Sequence, residues 1–362
     1  MTASLDELRR RIDAIDEELV RVLNERAAIT HEVGKLKAAS NGPVYIPGRE
    51  EEVYRRVCSL NNGPLRDETL RAIYREVISG CRRTQFDLRV CFLGPEATFT
   101  EFAAREKFGA SMNYYPARSI SRVFVEVDRN EADYGVVPVE NSTEGSVSDT
   151  LDMLMEFDTK ISAEILMPIH HALLARCPLE EVRVVYSKPE ALAQCRAWLT
   201  LHLPEAELRP VASTAEAAII AGKEDNTAAI AHKMAGSVYG LTVLHSSIED
   251  LARNTTRFLV LGGEIGSATG NDKTSVVFTI HHRSGALYDA LTPFKQAGVN
   301  LANLMPRPSR KHPWEYCFFV DLFGHRDDAN VAAALDELRK LALTVRVLGS
   351  YPAAGMPQED QQ

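Results

Sequence analysis

From Leu5 to Leu36 an apolar residue recurs every three or four positions, through Leu8, Ile12, Ile15, Leu19, Val22, Leu23, Ile29 and Val33. That period is one face of a helix, and its length leaves little freedom to what the segment can become. Ser4 caps the start, with Glu7 as its capping-box partner, and Ser40-Asn41-Gly42-Pro43 ends it near Ala39. A helix this long cannot bury its stripe alone, so a homodimer is expected. Two shorter helices follow, Gly48 to Leu60 and Asp67 to about Gln85, with Asn61-Asn62-Gly63-Pro64 between them. Residues 1–86 form the first, all-α dimerisation domain.

The period changes at residue 88. Strand-like runs at Val90–Leu93, Tyr134–Val137, Val182–Tyr186, Ala228–Ala231 and Phe258–Leu261 alternate with helical patterns at Thr100–Phe108, Ile120–Arg129, Val147–Glu156, Pro189–Leu201 and Ala215–Ala221. This alternation predicts an α/β domain over 88–263 with mostly parallel strands, as one large sheet or two small lobes. Residues 264–272 read as a linker. Over 273–351 the order is strand (Thr274–His281), helix (Ala286–Gln296), strand (Val299–Leu304), strand (Glu315–Phe323), helix (Val331–Leu341), strand (Val345–Leu348). That βαββαβ order is the α+β ferredoxin-like arrangement. Disorder is expected over Pro352–Gln362.

Composition narrows the function classes. The 362 residues carry a formal charge of −9, which argues against nucleic acid as a partner. No apolar run approaches the ~20 residues of a membrane span. Six scattered cysteines without a CxxC pair predict neither a zinc site nor a disulfide framework. With no apolar signal-peptide core in the first residues, a reduced cytoplasmic compartment is expected.

Three local features point to chemistry. At 100° per residue the apolar stripe of the first helix spans about 140°, and Arg26 and Lys37 fall inside it, with Arg9 at its edge. A cation facing a core needs a partner: a carboxylate of another helix, or a small dianion gripped between the two side chains. In the middle segment, Gly94-Pro95-Glu96-Ala97-Thr98-Phe99-Thr100, Val137-Pro138-Val139-Glu140-Asn141-Ser142-Thr143-Glu144-Gly145-Ser146 and Asn254-Thr255-Thr256-Arg257-Phe258 are polar clusters beside apolar strands, where α/β sheets bind ligands. His170-His171 occupies a strand-like run whose neighbours point to opposite faces, so the pair cannot chelate one metal; one is read as structural, and a substrate role for the other stays open.

The segment Leu8-Arg9, Asp16-Glu17, Glu25-Arg26, Glu32-Val33-Gly34-Lys35-Leu36-Lys37 and Arg49-Glu50 resembles the all-helical chorismate mutase family. The resemblance implies an intertwined dimer in which Arg9 serves the partner's site and binds a carboxylate. Arg26, helped by Arg49, would bind a carboxylate in its own site. Lys37 and Gln85 would donate to the ether oxygen, and Glu50 would hold the ring hydroxyl. Cys81 stands where some relatives have serine, and Ile46 where some have an acid.

The middle clusters, with Tyr186-Ser187-Lys188-Pro189, Gln194-Cys195, Ser213-Thr214-Ala215 and the Thr-Arg-Phe signature at Thr256-Arg257-Phe258, resemble prephenate dehydratase. That family implies two α/β lobes similar to periplasmic binding proteins, with the site in the cleft and no metal or other cofactor. Thr256 would assist departure of hydroxide, and Arg257 would order its loop or bind a carboxylate. Glu140 and Asn141 would line the cleft, with Thr98, Ser187, Gln194 and Ser213 as further contacts. The C-terminal segment, through Gly285-Ala286-Leu287, Arg307-Pro308 and Trp314-Glu315-Tyr316, resembles ACT regulatory domains, which implies phenylalanine binding. Met305-Pro306 replaces the usual Glu-Ser of the second motif.

Together the segments resemble the bifunctional chorismate mutase–prephenate dehydratase family, with chorismate and prephenate as substrates and phenylalanine as effector. A preference for arogenate, a solute-binding protein suggested by two lobes, and an amino-acid-sensing regulator suggested by the C-terminal segment are the alternatives.

Overall fold

The computed structural model describes residues 4–39, 45–251, 253–308 and 316–355. The expected stop at Ser40-Asn41-Gly42-Pro43, the Trp314-Glu315 part of the last motif and residues 356–362 of the expected disordered tail lie outside them. Internal contacts divide the chain into two units, residues 1–88 with 105–113, and residues 89–104 with 114–362.

In the first unit the predicted long helix is α1 (Leu5–Ala39), followed by α2 (Pro47–Ser59) and α3 (Asp67–Arg83). Ser4 Oγ accepts from Glu7 N at 3.2 Å, as the cap required. Much of the α1 stripe is uncovered within one chain: Ile12, Ile15 and Leu19 are each more than half exposed. Only near its end does α1 close onto α3. There Gly34 is buried, and a Cβ on it would lie 2.8 Å from Gln85 Cγ, so the approach of Gln85 depends on glycine at this turn.

In the second unit, β1 (Arg89–Leu93), the first turns of α4 (Phe99–Phe108), β2 (Asn113–Ala117) from residue 114 on, α5 (Ile120–Asp128), β3 (Tyr134–Asn141), β4 (Gly145–Ser146), α6 (Ser148–Glu156) and β5 (Ile161–Pro168) build the first lobe. The second lobe contains β6 (Ala172–Ala175), β7 (Val184–Ser187), α7 (Pro189–Gln194), α8 (Arg196–His202), β8 (Glu207–Pro210), α9 (Thr214–Ala221), β9 (Thr227–Ala231), α10 (Ala235–Tyr239) and β10 (Thr242–His245). The chain then returns through β11 (Thr255–Leu261) to the first sheet, whose order is β2-β1-β3-β11-β5 with β4 on β3; the second sheet runs β10-β6-β9-β7-β8.

Two expectations are corrected. The sheets are mixed, not mostly parallel: β11 is antiparallel to both β3 and β5, and β6 to both β9 and β10. The returning strand enters from the other lobe and so runs against its neighbours. The helix expected over Pro189–Leu201 breaks at Cys195, where the Asp250 carboxylate accepts from Ala197 N and Trp198 N and caps α8.

The C-terminal segment is β12 (Asp272–Thr279), α11 (Ala286–Gln296), β13 (Leu301–Pro308), β14 (Tyr316–Phe323), α12 (Ala329–Leu341) and β15 (Thr344–Pro352), with antiparallel sheet order β13-β14-β12-β15. Pro352, expected in the tail, pairs with Asp272 instead. One sheet face packs Phe278, Phe318 and Val320 on α11 and α12. The other packs Val277, Cys317, Phe319, Leu348 and Tyr351 into the core of the first lobe. The approach is tight at Gly349, where a Cβ would lie 2.1 Å from the Ile161 carbonyl oxygen, so no side chain fits.

Candidate active sites

In the first unit, Arg26 is half-buried on α1 and its Nη1 is buried with no hydrogen-bond partner among the described residues. An N–H left like this is costly. Lys37 lies three turns on, about 16 Å along the axis, close enough for two long side chains to converge. Burial, then the charge of Arg82, holds the Lys37 ammonium below the usual lysine range. Gln85 reaches this end of α1 through its contact with Gly34.

Other predicted residues stand differently. Glu50 is buried in an ion pair with Arg82, whose guanidinium carbon lies 4.9 Å from the Tyr45 ring centroid, so the expected hydroxyl acceptor is committed to a cation. Cys81 is buried beside Arg82 on α3. Arg49 is exposed and pairs with Glu52 at 2.7 Å, and exposed Arg9 faces Asp6 at 3.6 Å. Arg82 is the residue that the sequence reading missed. Its signal was legible, a cation four residues after Ile78 on the inward face of α3.

In the second unit the two crossovers between lobes, residues 169–171 and 246–254, run side by side. Ile169 N donates to Asn254 O at 2.8 Å and Ile248 N to His171 O at 3.0 Å. The predicted polar clusters meet there in a closed ring of donors. Asn141 Nδ2 donates to Asn254 Oδ1 at 2.8 Å, and Asn254 Nδ2 to Gln194 Oε1 at 2.9 Å. Gln194 Nε2 donates to Thr143 Oγ1 at 3.1 Å, and Thr143 Oγ1 back to Asn141 Oδ1 at 2.6 Å. The backbone N–H groups of Thr143 and Glu144 also donate to Asn141 Oδ1, which fixes the orientation of that amide.

The ring has an outward branch. Asn141 Nδ2 also donates to Thr256 Oγ1 at 2.8 Å. Thr256 accepts this bond and gives its own O–H to no described residue. Below the ring, His171 Nε2 donates to Gln194 Oε1 at 2.9 Å, while its Nδ1 is buried without a partner among the described residues. Burial lowers the pKa of His171 and keeps it neutral. The two histidines lie on a crossover between strands rather than within one, and His170 pairs with Glu249 at 2.7 Å. Asn254, which closes the ring from the second crossover, was within a predicted cluster but had no assigned role.

The remaining expected contacts are structurally committed. Thr98 Oγ1 donates to Leu93 O and accepts from Glu101 N, a helix cap. Ser213 caps α9 by accepting from Glu216 N. Ser187 is fully buried and donates to Ile230 O at 2.7 Å, and Phe258 is in the core. Glu140 and Arg257 are brought together, but away from Thr256. They are cross-strand partners, as are Asn141 and Thr256, and successive pairs on a sheet face opposite sides. Glu140 accepts from Asn303 Nδ2 at 2.8 Å. Arg257 is buried among Glu164 at 2.8 Å, Asp321 and the Tyr351 hydroxyl.

A hollow of about 220 Å³ opens at the start of α11. Gly285, Ala286 and Leu287 line it with Arg283, Tyr316 and Phe318. Arg307 and Pro308 do not: Arg307 makes a bidentate pair with Asp152 at 2.8 Å on the opposite sheet face, and Pro308 is exposed. Among the described residues no cluster of three metal-ligating side chains occurs, and no helix is long and apolar enough to cross a membrane.

The second unit also carries a pH-dependent cost. Burial, with help from Lys233 and the two neighbouring histidines, pushes His232 down to about 4. The unfolded chain binds this proton below about 6.5, so stability falls as pH drops from there toward 4. Urea midpoints at pH 7 and pH 5 are expected to show this loss, and His232→Gln to make it smaller; an unchanged slope would reject the assignment.

Comparison with known proteins places both units. Residues 8–86 match the model for chorismate mutase type II, and residues 90–265 that for prephenate dehydratase. The chain is 46% identical over 355 residues to the bifunctional chorismate mutase/prephenate dehydratase of Aquifex aeolicus, covering 97% of this chain and 98% of that one. It is 43% identical to the Neisseria gonorrhoeae protein of the same name, covering 98% and 99%. A solved prephenate dehydratase from Arthrobacter aurescens, in complex with L-Phe, superposes with a TM-score of 0.69 at 36% identity, covering 74% of this chain and 90% of that one.

Proposed function

Because the chain belongs to the bifunctional chorismate mutase/prephenate dehydratase family, we propose how its residues divide the two reactions. It is an enzyme of phenylalanine biosynthesis that rearranges chorismate to prephenate and converts prephenate to phenylpyruvate. We read residues 1–86, 88–263 and 273–351 as its mutase, dehydratase and regulatory domains.

The mutase reaction is pericyclic and needs no nucleophile; the protein holds a compact dianion and stabilises charge growing on the ether oxygen. Arg26 carries this reading, with its buried, unsatisfied guanidinium N–H. It binds one carboxylate, while Lys37 and Gln85 donate to the ether oxygen. Arg9 and Arg26 stand about 26 Å apart along one helix, so they cannot grip the same small molecule within one chain. A second copy supplies Arg9, and the uncovered α1 stripe is the surface on which the copies pair. Cys81 is buried beside Arg82, and Glu50 acts by holding Arg82 rather than by touching the ring hydroxyl.

In the dehydratase, loss of carbon dioxide sends the C–C electron pair into the ring and expels the ring hydroxyl as hydroxide, which takes a proton from solvent to become water. Thr256 donates a hydrogen bond to that hydroxyl. Asn141 occupies the threonine's lone pair and thereby aims its O–H outward, and Asn254 and Gln194 hold Asn141. The two crossovers support a periplasmic-binding-protein-like reading of the lobes. The C-terminal strand order supports a ferredoxin-like, ACT-type fold, and the hollow at Gly285, Ala286 and Leu287 suits an aromatic amino acid whose carboxylate meets the start of α11. We place the enzyme in the cytoplasm, as a homodimer inhibited by phenylalanine.

Feeding chorismate to the purified chain and following phenylpyruvate by its absorbance tests the whole reading. Product is expected without added enzyme, and millimolar phenylalanine is expected to slow its appearance. Prephenate that accumulates without phenylpyruvate would refute the dehydratase assignment.

A further inference from the structure

We propose that Asn303 and Asp321, both in the C-terminal segment, are positioning residues of the dehydratase. This deepens the assignment of Thr256 and rests on it. The pairing of β3 with β11 joins Glu140 to Arg257 and Asn141 to Thr256, then skips Val139 before Pro138 meets Phe258. The irregularity sets Glu140 instead of Val139 opposite Arg257, and ordinary alternation then places the Asn141–Thr256 pair on the other face. Both members of the first pair are held by the C-terminal sheet. Asn303 Nδ2, on β13, donates to Glu140 Oε2 at 2.8 Å. Asp321, on β14, binds Arg257, and Ser275 Oγ donates to Asp321 Oδ1 at 2.5 Å.

Each residue of the reacting pair is thus one peptide from a side chain anchored in another domain. The anchors differ in kind. Arg257 is nearly completely buried among Glu164, Asp321 and Tyr351, so it cannot swing without leaving a charge unpaired. Among the described residues Glu140 is held by one neutral amide at a half-buried position, which can be altered without breaking a buried ion pair. Movement of β13 or β14 therefore shifts Asn141 and Thr256 through the backbone. β14 also lends Tyr316 and Phe318 to the hollow at the start of α11, so one strand touches both places.

The test uses the full chain, whose chorismate turnover serves as an internal control. Asn303→Asp replaces the donor with a carboxylate facing Glu140. It is expected to lower dehydratase kcat about tenfold, with KM for prephenate within about twofold and chorismate turnover unchanged. Asn303→Gln, which keeps the donor, is expected to recover part of the rate. Asp321→Asn tests the second anchor; if it fails to fold, Asn303→Asp carries the test alone. In a Thr256→Ala background Asn303→Asp is expected to cost nothing further, since residues acting as one unit are not additive. A dehydratase kcat within about twofold of the parent, or a loss retained in full without the threonine hydroxyl, would overturn the proposal. A parent chain with normal chorismate turnover and no prephenate turnover overturns the dehydratase assignment and the proposal with it.

Discussion

Arg26→Ala is expected to lower kcat/KM for chorismate about 100- to 1000-fold, while supplied prephenate is consumed at the parent rate. The size follows from removing a charged donor from a desolvated site, where it acts on an anion with little competition from water. The side chain also makes a prediction about stability. Its Nη1 is buried without a partner, so within the protein alone it contributes desolvation cost and no bond. The alanine variant is therefore expected to melt at the same temperature as the parent or above it. A structural ion pair would give the opposite result, a destabilised protein. Equal loss of both activities would indicate that one site, or one unfolding event, serves both reactions.

Thr256→Ala is expected to do the reverse, with dehydratase kcat down about 100- to 10,000-fold and chorismate turnover retained. The hydroxyl accepts from Asn141 and gives its own O–H to no described residue, so its loss removes the donor to the departing hydroxyl. Thr256→Ser keeps that donor and is expected to keep most of the rate. Thr256→Val keeps the shape and is expected to behave like alanine. Asn141 remains fixed by Thr143, Glu144 and Asn254 in each variant, which confines the change to one group. A valine variant with parent activity would sink the role.

Much of this protein was legible because its signals are local. The α1 period, the βαββαβ order and the polar runs ending at Asn141 and starting at Asn254 each lie within a few residues of one another. The elements that escaped were β2, β4, β5, β8, β10 and α10. β8 and β10 are sheet edges with mostly exposed side chains, so they carry no alternation of their own and become strands by pairing with β7 and β6. β5 contains Glu164, whose side chain is fully buried. A carboxylate in an apolar run argues against burial until Arg257 and Lys273 arrive from other strands to pair with it.

The site divides in the same way. That Asn141, Gln194 and Thr256 belong to polar clusters beside strands was readable from the residues. That they join through Asn254 and Thr143 in a closed ring was not, because each bond depends on both crossovers running side by side. Glu140 and Arg257 show the limit most clearly: Arg257 turns toward the C-terminal sheet by ordinary alternation, and Glu140 joins it there because a one-residue irregularity in the strand pairing skips Val139. The chain order alone set which chemistries are present and on which helices and strands they lie, since periodicity and caps are properties of adjacent residues. Only the packed structure decided which polar groups are spent on each other and which stay available, because hydrogen bonds and buried charges are settled by distance in space.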